Sequence, residues 1–596
     1  MSVLDRIERL RNVMEQQKID CYIIPTDDYH HSEYVGDYFK FREYITGFTG
    51  SAGTAVFTKD KAGLWTDGRY FIQAEAQLKG SGITLYKSGE SDVPTIEEFL
   101  KSELKEGDVL GFDGRTVTYA QGKRYCHIAD ENGASLKYSL DFAQNIWKER
   151  PEMSMESVFS LADEYTGEKI GSKLEQIREI MKENGCNAHV LSSLDDIAWL
   201  LNIRGNDIAY CPLVLSYAIV YNNSVELFAD IRKFSDDIIN LLAENQVKIY
   251  PYEDIYRKVS EMTSEDKLLL DSAIMNYSLY QAISKETVII DKQNPEILMK
   301  SVKNETQAEN LRKAHLKDAV AHTKFMYWLK KNIGRVEITE LSASARLEGL
   351  RAEQEHFLGP SFGPISAYGE HGAIVHYSAD EKSNVPLKEG KLFMTDTGGH
   401  YLEGSTDITR TVALGEVGNL EKEHFTLVAR AMLRLANTVF LYGCSGANLD
   451  CIAREIFWKE GLNFNHGTGH GVGYLLNIHE GPINFRWKEG ERPAPALEEN
   501  MVITDEPGIY IEGSHGIRLE NELLVRKTVK NEYGQFMNFE ILTYVPIDLD
   551  AILPEKMSTE EKEMLNHYHK QVYEKVSPYL SEEERIWLKE YTRAVK

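Results

Sequence analysis

An internal repeat in the first half of the chain places the strongest constraint on its fold. The amphipathic helix pattern RIERLRNVMEQQ (6–17) precedes the apolar run IDCYIIP (19–25), and KLEQIREIMKEN (173–184) precedes CNAHVLS (186–192) in the same way. Both pairs have the 3–4-residue apolar spacing of a helix followed by a β-branched strand pattern. A helix and a strand of matching character therefore occur twice.

A second pair of segments repeats at nearly the same distance. AVFTKDKAGLWTDGR (55–69) and AIVYNNSVELFADIR (218–232) are each two strand patterns joined by a polar turn, and each ends in an Asp and an Arg. The two offsets are 167 and 163 residues, a difference that one short insertion explains. The sequence predicts two copies of one α/β module, over 1–155 and 160–300, each a mixed sheet with helices packed against it.

The rest of the chain has a different pattern. Residues 304–333, NETQAENLRKAHLKDAVAHTKFMYWLKKNI, predict one long amphipathic helix. From about 360 to 545 the sequence favours strands and Gly-rich turns, with a helix pattern near 421–442. We expect a third domain over 301–545 of mixed α+β type, followed by a helical extension over 546–596 that either caps this domain or contacts another subunit.

Composition excludes some classes of partner. The formal net charge of −26 argues against nucleic acid, whose binding requires Lys and Arg to neutralise phosphates. No apolar run approaches the ~18 residues of a membrane span, and the N-terminus lacks the apolar core of a signal peptide. The six cysteines are scattered, as expected for free thiols in a reducing compartment. We expect a cytoplasmic protein that binds neither membrane nor nucleic acid.

Two acidic residues interrupt a strand pattern in FMTDTGGHYLEGSTDITRTV (393–412). Asp396 and Asp407 are symmetric about Tyr401 and Leu402, so an antiparallel hairpin turning there would bring them nearly opposite one another. Two carboxylates ~4 Å apart repel by ~4 kcal/mol at an effective dielectric of 20. Either a cation lies between them or one of them stays protonated. Arg410 lies on the opposite strand face, so a metal ion is the better candidate for the cation.

A second acidic pair has the same symmetry. In MVITDEPGIYIEGSHGIRLENELLV (501–525), Glu506 and Glu520 are symmetric about Gly513. Strand alternation places Arg518, Glu520 and Glu522 on one face of the second strand.

Two histidines lie between the acidic pairs, in NFNHGTGHGVG (463–473). His466 and His470 have helical spacing, but the surrounding glycines favour an extended chain that other backbone can approach closely. Four carboxylates and an imidazole, without thiolate, suit a pair of divalent ions such as manganese, cobalt, zinc or iron.

These motifs resemble those of the pita-bread metallopeptidases, the family of methionine aminopeptidase, prolidase, aminopeptidase P and creatinase. The resemblance rests on TDTGGHYLEGSTDITRT, HGTGHGVG, DEPGIY and GIRLENE. Two preceding modules, with YIIPTDDYHHSEY, GFTGSAGTA and LWTDGRYF in the first, are similar to the long, three-domain form of aminopeptidase P. The likeness extends over nearly the whole chain, including the tail from PIDLDAIL onward.

The resemblance implies a dinuclear site, usually manganese in this family, with cobalt or zinc as alternatives. Asp396 would bind one ion, His470 and Glu506 the other, and Asp407 and Glu520 would bridge both. All five positions are filled here.

The resemblance also implies supporting residues around the metals. His376 in GAIVHY, His466, and His479 in NIHEGP match the family's catalytic and substrate-binding histidines. Arg518 shares the strand face of Glu520, so it would orient a ligand carboxylate or contact the substrate chain, with a charge balance for Glu520 as an equal alternative. Arg204 and Asp207 in NIRGND would either reach the substrate or form an ion pair that packs the domains.

The implied activity is hydrolysis of the first amide bond of a peptide whose second residue is proline, through a hydroxide bridging two metals, with Glu506 exchanging the protons. Prolidase, which cuts dipeptides, usually has one N-terminal module rather than two. The motifs are also compatible with methionine aminopeptidase and with a non-catalytic peptide-binding protein on the same fold. The family is often dimeric, so we expect a homodimer.

Overall fold

The computed structural model describes residues 1–488 and 493–596. Within it the chain forms two compact units. The first contains Met1–Leu161 and Glu168–Glu296, and the second contains Ala162–Gly167 and Ile297–Lys596.

The first unit begins with a six-stranded sheet in which helices alternate with strands. The strands are β1 (Cys21–Pro25), β2 (Thr54–Thr58), β3 (Ala62–Thr66), β4 (Thr84–Lys87), β5 (Val109–Phe112) and β6 (Ser135–Lys137). The helices are α1 (Val3–Gln17), α2 (Phe41–Thr46), α3 (Phe71–Gln77), α4 (Ile96–Glu103), α5 (Tyr119–Glu131) and α6 (Ala143–Ile146). The sheet order is β4-β3-β2-β1-β5-β6.

The following stretch of chain forms a second six-stranded sheet. Its strands are β8 (Ala188–Leu191), β10 (Tyr217–Tyr221), β11 (Val225–Phe228), β12 (Val247–Tyr250), β13 (Lys267–Leu270) and β14 (Val288–Asp291), and β7 (Phe159–Ser160) pairs separately with β9 (Ile203–Arg204). Its helices are α8 (Ile170–Glu183), α9 (Leu194–Leu200), α10 (Asp236–Glu244), α11 (Asp254–Ser260) and α12 (Tyr277–Ala282). Helix α7 (Asp163–Thr166) and most of α13 (Pro295–Ser301) belong to the second unit. The order is β12-β11-β10-β8-β13-β14.

The two sheets match strand for strand. In each, the first strand pairs antiparallel with the next long strand and parallel with the fifth, as in the register pairs Cys21↔Thr58 and Leu191↔Ala218. The helix before each first strand presents apolar residues at helical spacing to its sheet: Ile7, Leu10 and Met14 in α1, and Ile170, Leu174, Ile177 and Met181 in α8. The predicted duplication of one α/β module is confirmed.

The second unit combines long helices with short, mostly antiparallel strands. Its further helices are α14 (Glu305–Asn332), α15 (Glu340–Ala352), α16 (Asn419–Ala436), α17 (Gly446–Lys459), α18 (Thr559–Val576) and α19 (Glu582–Tyr591). Its strands are β15 (Phe357–Pro360), β16 (Ile365–Tyr368), β17 (Lys391–Thr397), β18 (Gly399–Tyr401), β19 (Gly404–Ser405), β20 (Ile408–Leu414), β21 (Phe440–Leu441), β22 (Gly469–Val472), β23 (His479–Phe485), β24 (Val502–Asp505), β25 (Gly508–Ile511), β26 (His515–Arg518), β27 (Asn521–Asn531) and β28 (Gly534–Ile541).

The strands of the second unit form separate sheets that, with the helices, enclose one large apolar core and two smaller apolar clusters. The largest has the order β21-β28-β27-β24-β22-β23, and smaller sheets are β16-β17-β20, β15-β18-β19 and β25-β26. The long helix predicted over 304–333 is α14, which starts at an Asn304–Gln307 capping box. Helix α17 was not predicted. It follows α16 closely and packs beside it.

The C-terminal extension (546–596) buries apolar side chains in the core of the second unit and does not lie only on its surface. Helix α18 buries Leu565, Tyr568 and Val572 in the core of the second unit. The Tyr568 hydroxyl donates to the carbonyl of Val545 at 2.6 Å. The extension therefore packs against its own domain, which is one of the two arrangements that the sequence left open.

Two sequence expectations concern the whole chain. All six cysteines are free; Cys21, Cys186 and Cys211 are buried, whereas Cys451 is exposed. Among the described residues, no helix is both long enough and apolar enough to cross a membrane.

Candidate metal centre

The first acidic pair lies on the hairpin of β17 and β20. The register places Asp396 opposite Thr409 and Tyr401 opposite Gly404. The turn is thus one residue later than the sequence symmetry predicted, and Asp407 lies diagonal to Asp396 rather than opposite it. Both carboxylates are nevertheless buried, with exposed fractions of 7% and 4%.

The second acidic pair has the predicted register. Gly508 pairs with Arg518 between β25 and β26, and Asp505 pairs with Asn521 between β24 and β27. Glu506 and Glu520 lie between these two pairs of strands, and the same register places them opposite one another. The turn at Gly513 has a positive φ of 70°, which glycine adopts without strain.

His470 lies on a strand with closely packed neighbours. Its backbone N–H donates to the Thr504 hydroxyl at 3.1 Å. A Cβ on the preceding Gly469 would lie 1.9 Å from the Thr504 carbonyl oxygen, so no larger residue fits there. The glycines of the HGTGHGVG motif thus give the extended conformation and close approach that the sequence predicted.

These segments bring the five predicted ligands together. We call Asp396, Asp407, His470, Glu506 and Glu520 the acid cluster. Ligand atoms lie within 4.8 Å of one another in three overlapping groups, Asp396–Asp407–Glu520, His470–Glu506–Glu520 and Asp407–His470–His479. The imidazole Nε2 of His470 is 3.5 Å from Asp407 Oδ2 and 3.6 Å from Glu506 Oε1. Three distant parts of the chain therefore supply one site.

The acid cluster contains more carboxylates than a buried site can hold in ionised form without cations. Burial raises the pKa of Asp396, Glu506 and Glu520, and their mutual repulsion adds to the effect. Burial alone would lower the pKa of His470, but Asp407 and Glu506 beside it raise that pKa to about 9. The protein alone would retain protons here that bound cations would displace.

The residues fit divalent metal ions. Asp396 Oδ1 and Glu520 Oε1 are buried and have no hydrogen-bond partner among the described residues, although buried carboxylate oxygens are normally paired. The remaining oxygen of Glu520 accepts from the Thr409 hydroxyl at 2.8 Å, which fixes its orientation. Carboxylate and imidazole donors are those that manganese, cobalt and zinc accept.

Arg518 contacts the edge of the acid cluster. Its Nε donates to Asp396 Oδ2 at 3.1 Å, its Nη2 makes a second contact to the same oxygen, and its Nη1 donates to the Tyr510 hydroxyl at 2.6 Å. The predicted charge balance thus involves Asp396 and not Glu520. Only one oxygen of Asp396 is engaged, so the guanidinium leaves the convergence of the other ligand atoms intact.

The supporting histidines surround the cluster. The His466 Nε2 is 2.8 Å from the Tyr510 hydroxyl, and burial together with Arg518 holds the pKa of His466 well below its usual value. His479 packs edge-on against His470, with ring centroids 4.3 Å apart. His376 is close enough to His466 to contribute to that lowered pKa.

Arg204 and Asp207 lie in the second α/β module. Asp207 forms a buried ion pair with Lys233 and accepts from the backbone N–H of Leu215 at 2.7 Å. Arg204 donates to the carbonyl of Ala198 at 2.8 Å. Asp207 thus takes part in packing within this module.

Sequence reasoning did not assign a role to Glu522. This fully buried carboxylate accepts from the backbone N–H of Asp407 at 2.6 Å, and His315 Nε2 lies 3.1 Å from its other oxygen. It therefore fixes the strand position of a predicted bridging ligand. Alternation had already placed Glu522 on the same face as Glu520, and that was the available signal.

Comparison with protein families agrees with this architecture. Residues 309–527 match metallopeptidase family M24, and residues 535–595 match the C-terminal region of that peptidase family. Residues 6–137 and 149–307 each match a creatinase/prolidase N-terminal domain. The fold is two such α/β domains followed by a pita-bread catalytic domain.

Relatives match this chain over nearly its whole length. The chain is 36% identical to Xaa-Pro aminopeptidase 1 of Dictyostelium discoideum, over 97% of this chain and 94% of that protein. It is 34% identical to aminopeptidase P1 of Arabidopsis thaliana, over 99% of both.

Solved structures extend the comparison. An X-prolyl aminopeptidase from Caenorhabditis elegans, described as a cytosolic enzyme with a di-nuclear active site, superposes with a TM-score of 0.95 at 33% identity and 100% coverage of both chains. An Xaa-Pro dipeptidase from Bacillus anthracis, at 24% identity and a TM-score of 0.51, covers 64% of this chain and shares the fold. The chain belongs to metallopeptidase family M24, in its group of three-domain Xaa-Pro aminopeptidases.

Proposed function

We infer that this protein is a dinuclear metallo-aminopeptidase that removes the first residue from peptides with proline in second position. The observation that carries the inference is the convergence of all five predicted ligands at one buried site in a chain that matches Xaa-Pro aminopeptidases over its whole length. Such a hydrolase is needed because the prolyl nitrogen bears no hydrogen and the usual peptide-clamping hydrogen bond to it is lost.

The proposed ligand roles follow from which residues share each of the three groups of converging ligand atoms. Asp396 would bind one ion, and His470 with Glu506 would bind the other. Asp407 and Glu520 each belong to two groups, one of which contains Asp396 and one of which contains His470, as expected of bridging ligands. We propose manganese as the metal, with cobalt or zinc as alternatives. When bound, two divalent ions lower the pKa of a water molecule towards neutrality.

Glu506 is the proposed proton carrier of the reaction. It is the most exposed carboxylate of the acid cluster, with an 18% exposed side chain, and so has room for substrate beside it. It would accept a proton from the attacking water and pass it to the prolyl nitrogen as the amide C–N bond breaks and the new C–O bond is retained.

The surrounding residues have proposed roles in binding and polarising the substrate. His376 and His479 would donate hydrogen bonds to the substrate and to the carbonyl oxygen as negative charge develops on it. His466, whose lowered pKa keeps it neutral, would orient Tyr510 and through it Arg518. Arg518 would present its remaining donor surface to the substrate chain.

Replacing Asp407 by Asn tests the inference directly. We expect about a thousandfold loss of Arg-Pro-Pro hydrolysis and fewer than two equivalents of bound metal, because several kcal/mol of transition-state stabilisation would be lost. The folded control is far-ultraviolet circular dichroism of both proteins. Undiminished turnover would exclude a bridging role for Asp407.

A paired assay distinguishes the proposed activity from that of a prolidase. We expect release of Arg from Arg-Pro-Pro and no comparable preference for the dipeptide Arg-Pro. The reverse preference would identify a dipeptidase. Absence of hydrolysis of both, with two metal equivalents bound, would indicate a peptide-binding protein.

Further proposals concern assembly and location. We propose a homodimer in the cytoplasm, with the chain divided into 1–155, 160–300, 301–545 and 546–596. The exposed rings of Trp458 and Trp487, 42% and 45% accessible and 5.8 Å apart at their centroids, provide an apolar surface of the kind that subunits bury. Light scattering of the purified protein would measure the number of subunits.

A further inference from the structure

A buried carboxylate far along the chain from the acid cluster makes an unusual set of contacts. Glu340 is the first residue of α15 and is 0% exposed. Its Oε1 accepts from the backbone N–H of Tyr368 and from His371 Nδ1, both at 2.8 Å. Its Oε2 accepts from the Tyr377 hydroxyl at 2.9 Å and faces the backbone N–H of Val385 at 3.4 Å.

These four donors span the whole connection between β16 and β17. Tyr368 ends β16, and Val385 lies shortly before β17 begins. The backbone of Glu340 adds a further bond, since its N–H donates to the Val385 carbonyl at 3.2 Å. One side chain therefore holds the start, the middle and the end of this connection, which we call the His376 loop (residues 369–385).

The middle of the loop is held through two stacked rings. His371 and Tyr377 lie with ring centroids 4.5 Å apart at an angle of 28°, and both reach Glu340. The hydrogen bond that His371 donates to Glu340 raises the pKa of His371. His376 immediately precedes Tyr377, so the clamp acts within one residue of the histidine assigned to the substrate carbonyl.

The opposite side of the loop contacts the hairpin of β25 and β26. Gly372 packs so closely on Gly516 that a Cβ at Gly516 would be 1.6 Å from the Gly372 carbonyl oxygen. Arg518 Nη2 is 3.4 Å from the Val375 carbonyl oxygen. The loop is thus fixed between Glu340 on one side and a strand that leads to Glu520 on the other.

A carboxylate suits this position for two reasons. Two oxygens supply enough acceptor sites for four donors, whereas an amide would offer one oxygen and turn its NH₂ towards other donors. The side chain also lies in the first turn of the 13-residue helix α15, where the helix dipole favours negative charge. Loss of the acceptor would leave several buried donors unsatisfied.

We propose that Glu340 is a positioning residue for catalysis, which holds the His376 loop so that His376 addresses the substrate carbonyl beside the acid cluster. This rests on the proposed function only for the role of His376. Glu340 touches none of the five metal ligands in the contacts described, so its removal should change catalysis without changing metal content.

The experiment compares manganese-loaded Glu340→Ala, Glu340→Gln and Tyr377→Phe with Glu561→Gln. Glu561, on α18, is a matched control because it is also buried, at 1% exposure, and accepts from Arg430 and Arg434 of α16 instead of the His376 loop. We expect Glu340→Ala to lower kcat for Arg-Pro-Pro by about 10–100-fold, the usual range for groups that orient a catalytic residue, with KM and metal content nearly unchanged. Glu340→Gln and Tyr377→Phe should lower kcat less, and the control Glu561→Gln should leave kcat unchanged.

Two readouts separate positioning from general destabilisation. Amide hydrogen exchange within residues 369–385 should accelerate in the Glu340 and Tyr377 variants and not in the control. In a double-mutant cycle, Glu340→Gln should cost little once His376 has been replaced by Ala, because both changes then remove the same interaction. Additive losses, or unchanged exchange in the loop, would overturn the proposal.

Failure of the proposed function would look different. An inactive, metal-loaded wild type would refute the aminopeptidase assignment, while the exchange measurement would still report whether Glu340 fixes the loop. A fully active His376→Ala protein would refute the catalytic part of the positioning proposal while leaving Arg-Pro-Pro hydrolysis established.

Discussion

Two buried groups of charged residues contact the hairpin of β17 and β20. One is the acid cluster, which includes Asp396. The other is the ion pair of Asp318 and Arg351, in which Arg351 Nε is 2.5 Å from Asp318 Oδ1. The neighbouring residues reach the ion pair: Arg351 donates to the Thr397 carbonyl at 3.1 Å, and the Thr406 hydroxyl donates to Asp318 at 2.7 Å. Adjacent residues of one hairpin therefore contact two different ionic sites, with Thr397 reaching the ion pair through its backbone carbonyl and Thr406 through its hydroxyl.

The two sites differ in how fully the protein's own cations pair with the carboxylates: Arg351 donates to both oxygens of Asp318, whereas Arg518 contacts one oxygen of Asp396. Burial alone would raise the pKa of Asp318, but Arg351 holds it below its ordinary value. In the acid cluster burial prevails, and the pKa of Asp396 and Glu520 is raised. Carboxylates that are all buried thus have pKa values shifted in opposite directions. A neutralised pair is complete as a structural element, whereas the acid cluster is complete only with cations from solution.

Removal of the metals should have the largest effect and should separate the two sites completely. We expect chelation to abolish Arg-Pro-Pro hydrolysis and to lower the Tm, since ions that bind only the folded state stabilise it by mass action. Addition of Mn²⁺, Co²⁺ or Zn²⁺ should restore both. The measurement is activity with metal content by mass spectrometry. Full activity in metal-free protein would show that the acid cluster needs no external cation.

Breaking the ion pair should have a large effect of another kind. Asp318→Asn leaves Arg351 buried without its counter-charge, which typically costs about 3–5 kcal/mol, so we expect a loss of that size in the free energy of unfolding. Two equivalents of metal should still bind. The double replacement Asp318→Leu with Arg351→Met should recover much of the stability, because burying matched apolar groups is often neutral. Loss of metal in Asp318→Asn would show that the two sites are not separate.

The difference between the two sites also explains what the sequence could reveal. The acid cluster was predictable because Asp and Glu are conspicuous in strand patterns, and because Glu506 and Glu520 are symmetric about a Gly turn. The ion pair was not, since Asp318 lies on a predicted amphipathic helix, where charged residues are ordinarily solvent-exposed, and no element was predicted around Arg351.

Strand register and contacts between distant parts of the chain were the other features that could not be predicted from the sequence. Residues 398–407 fit two neighbouring turn positions equally well, and Gly404, at φ 128°, places the turn one residue later than symmetry suggested. The contacts of Glu340 depend on how α15 packs against a loop about 30–45 residues further along, which periodicity does not encode. The repeated module was predicted correctly because its pattern occurs twice.

Changes behind the acid cluster should have a moderate effect. Glu522→Leu removes the acceptor for the Asp407 N–H, and we expect metal affinity to fall about 10–100-fold, as is typical when a group supporting a ligand is lost. Glu522→Gln keeps an acceptor oxygen and should lose less. Calorimetric titration with Mn²⁺ measures both. Equal affinities for the Leu variant and the wild type would show that the strand holds Asp407 without help.

The smallest expected effect is the pH dependence of stability, and it has opposite signs at the two sites. In metal-free protein the carboxyl pKa values of Asp396, Glu506 and Glu520 are above their unfolded values, so the folded state binds more protons and stability falls as pH rises above about 4. The raised pKa of His470 adds stability below about 6.5 that is lost as pH rises through about 9. Asp318 acts in reverse, because its lowered pKa gives stability above about 4 that is lost on acidification.

Bound metal replaces the protons of the acid cluster. It should therefore cancel the pH dependence of stability that comes from the cluster and leave the one that comes from Asp318. The difference in Tm between Mn²⁺-loaded and metal-free protein should therefore widen steadily from about pH 5.5 to 8.5, since fewer protons compete for the ligands. In Asp407→Asn, which lacks one carboxylate, the widening should be smaller. Parallel Tm curves for the loaded and metal-free wild type would mean that metal binding displaces no protons and that the carboxylates of the cluster are already ionised without metal, as Asp318 is, and the contrast with the Asp318–Arg351 pair would then disappear.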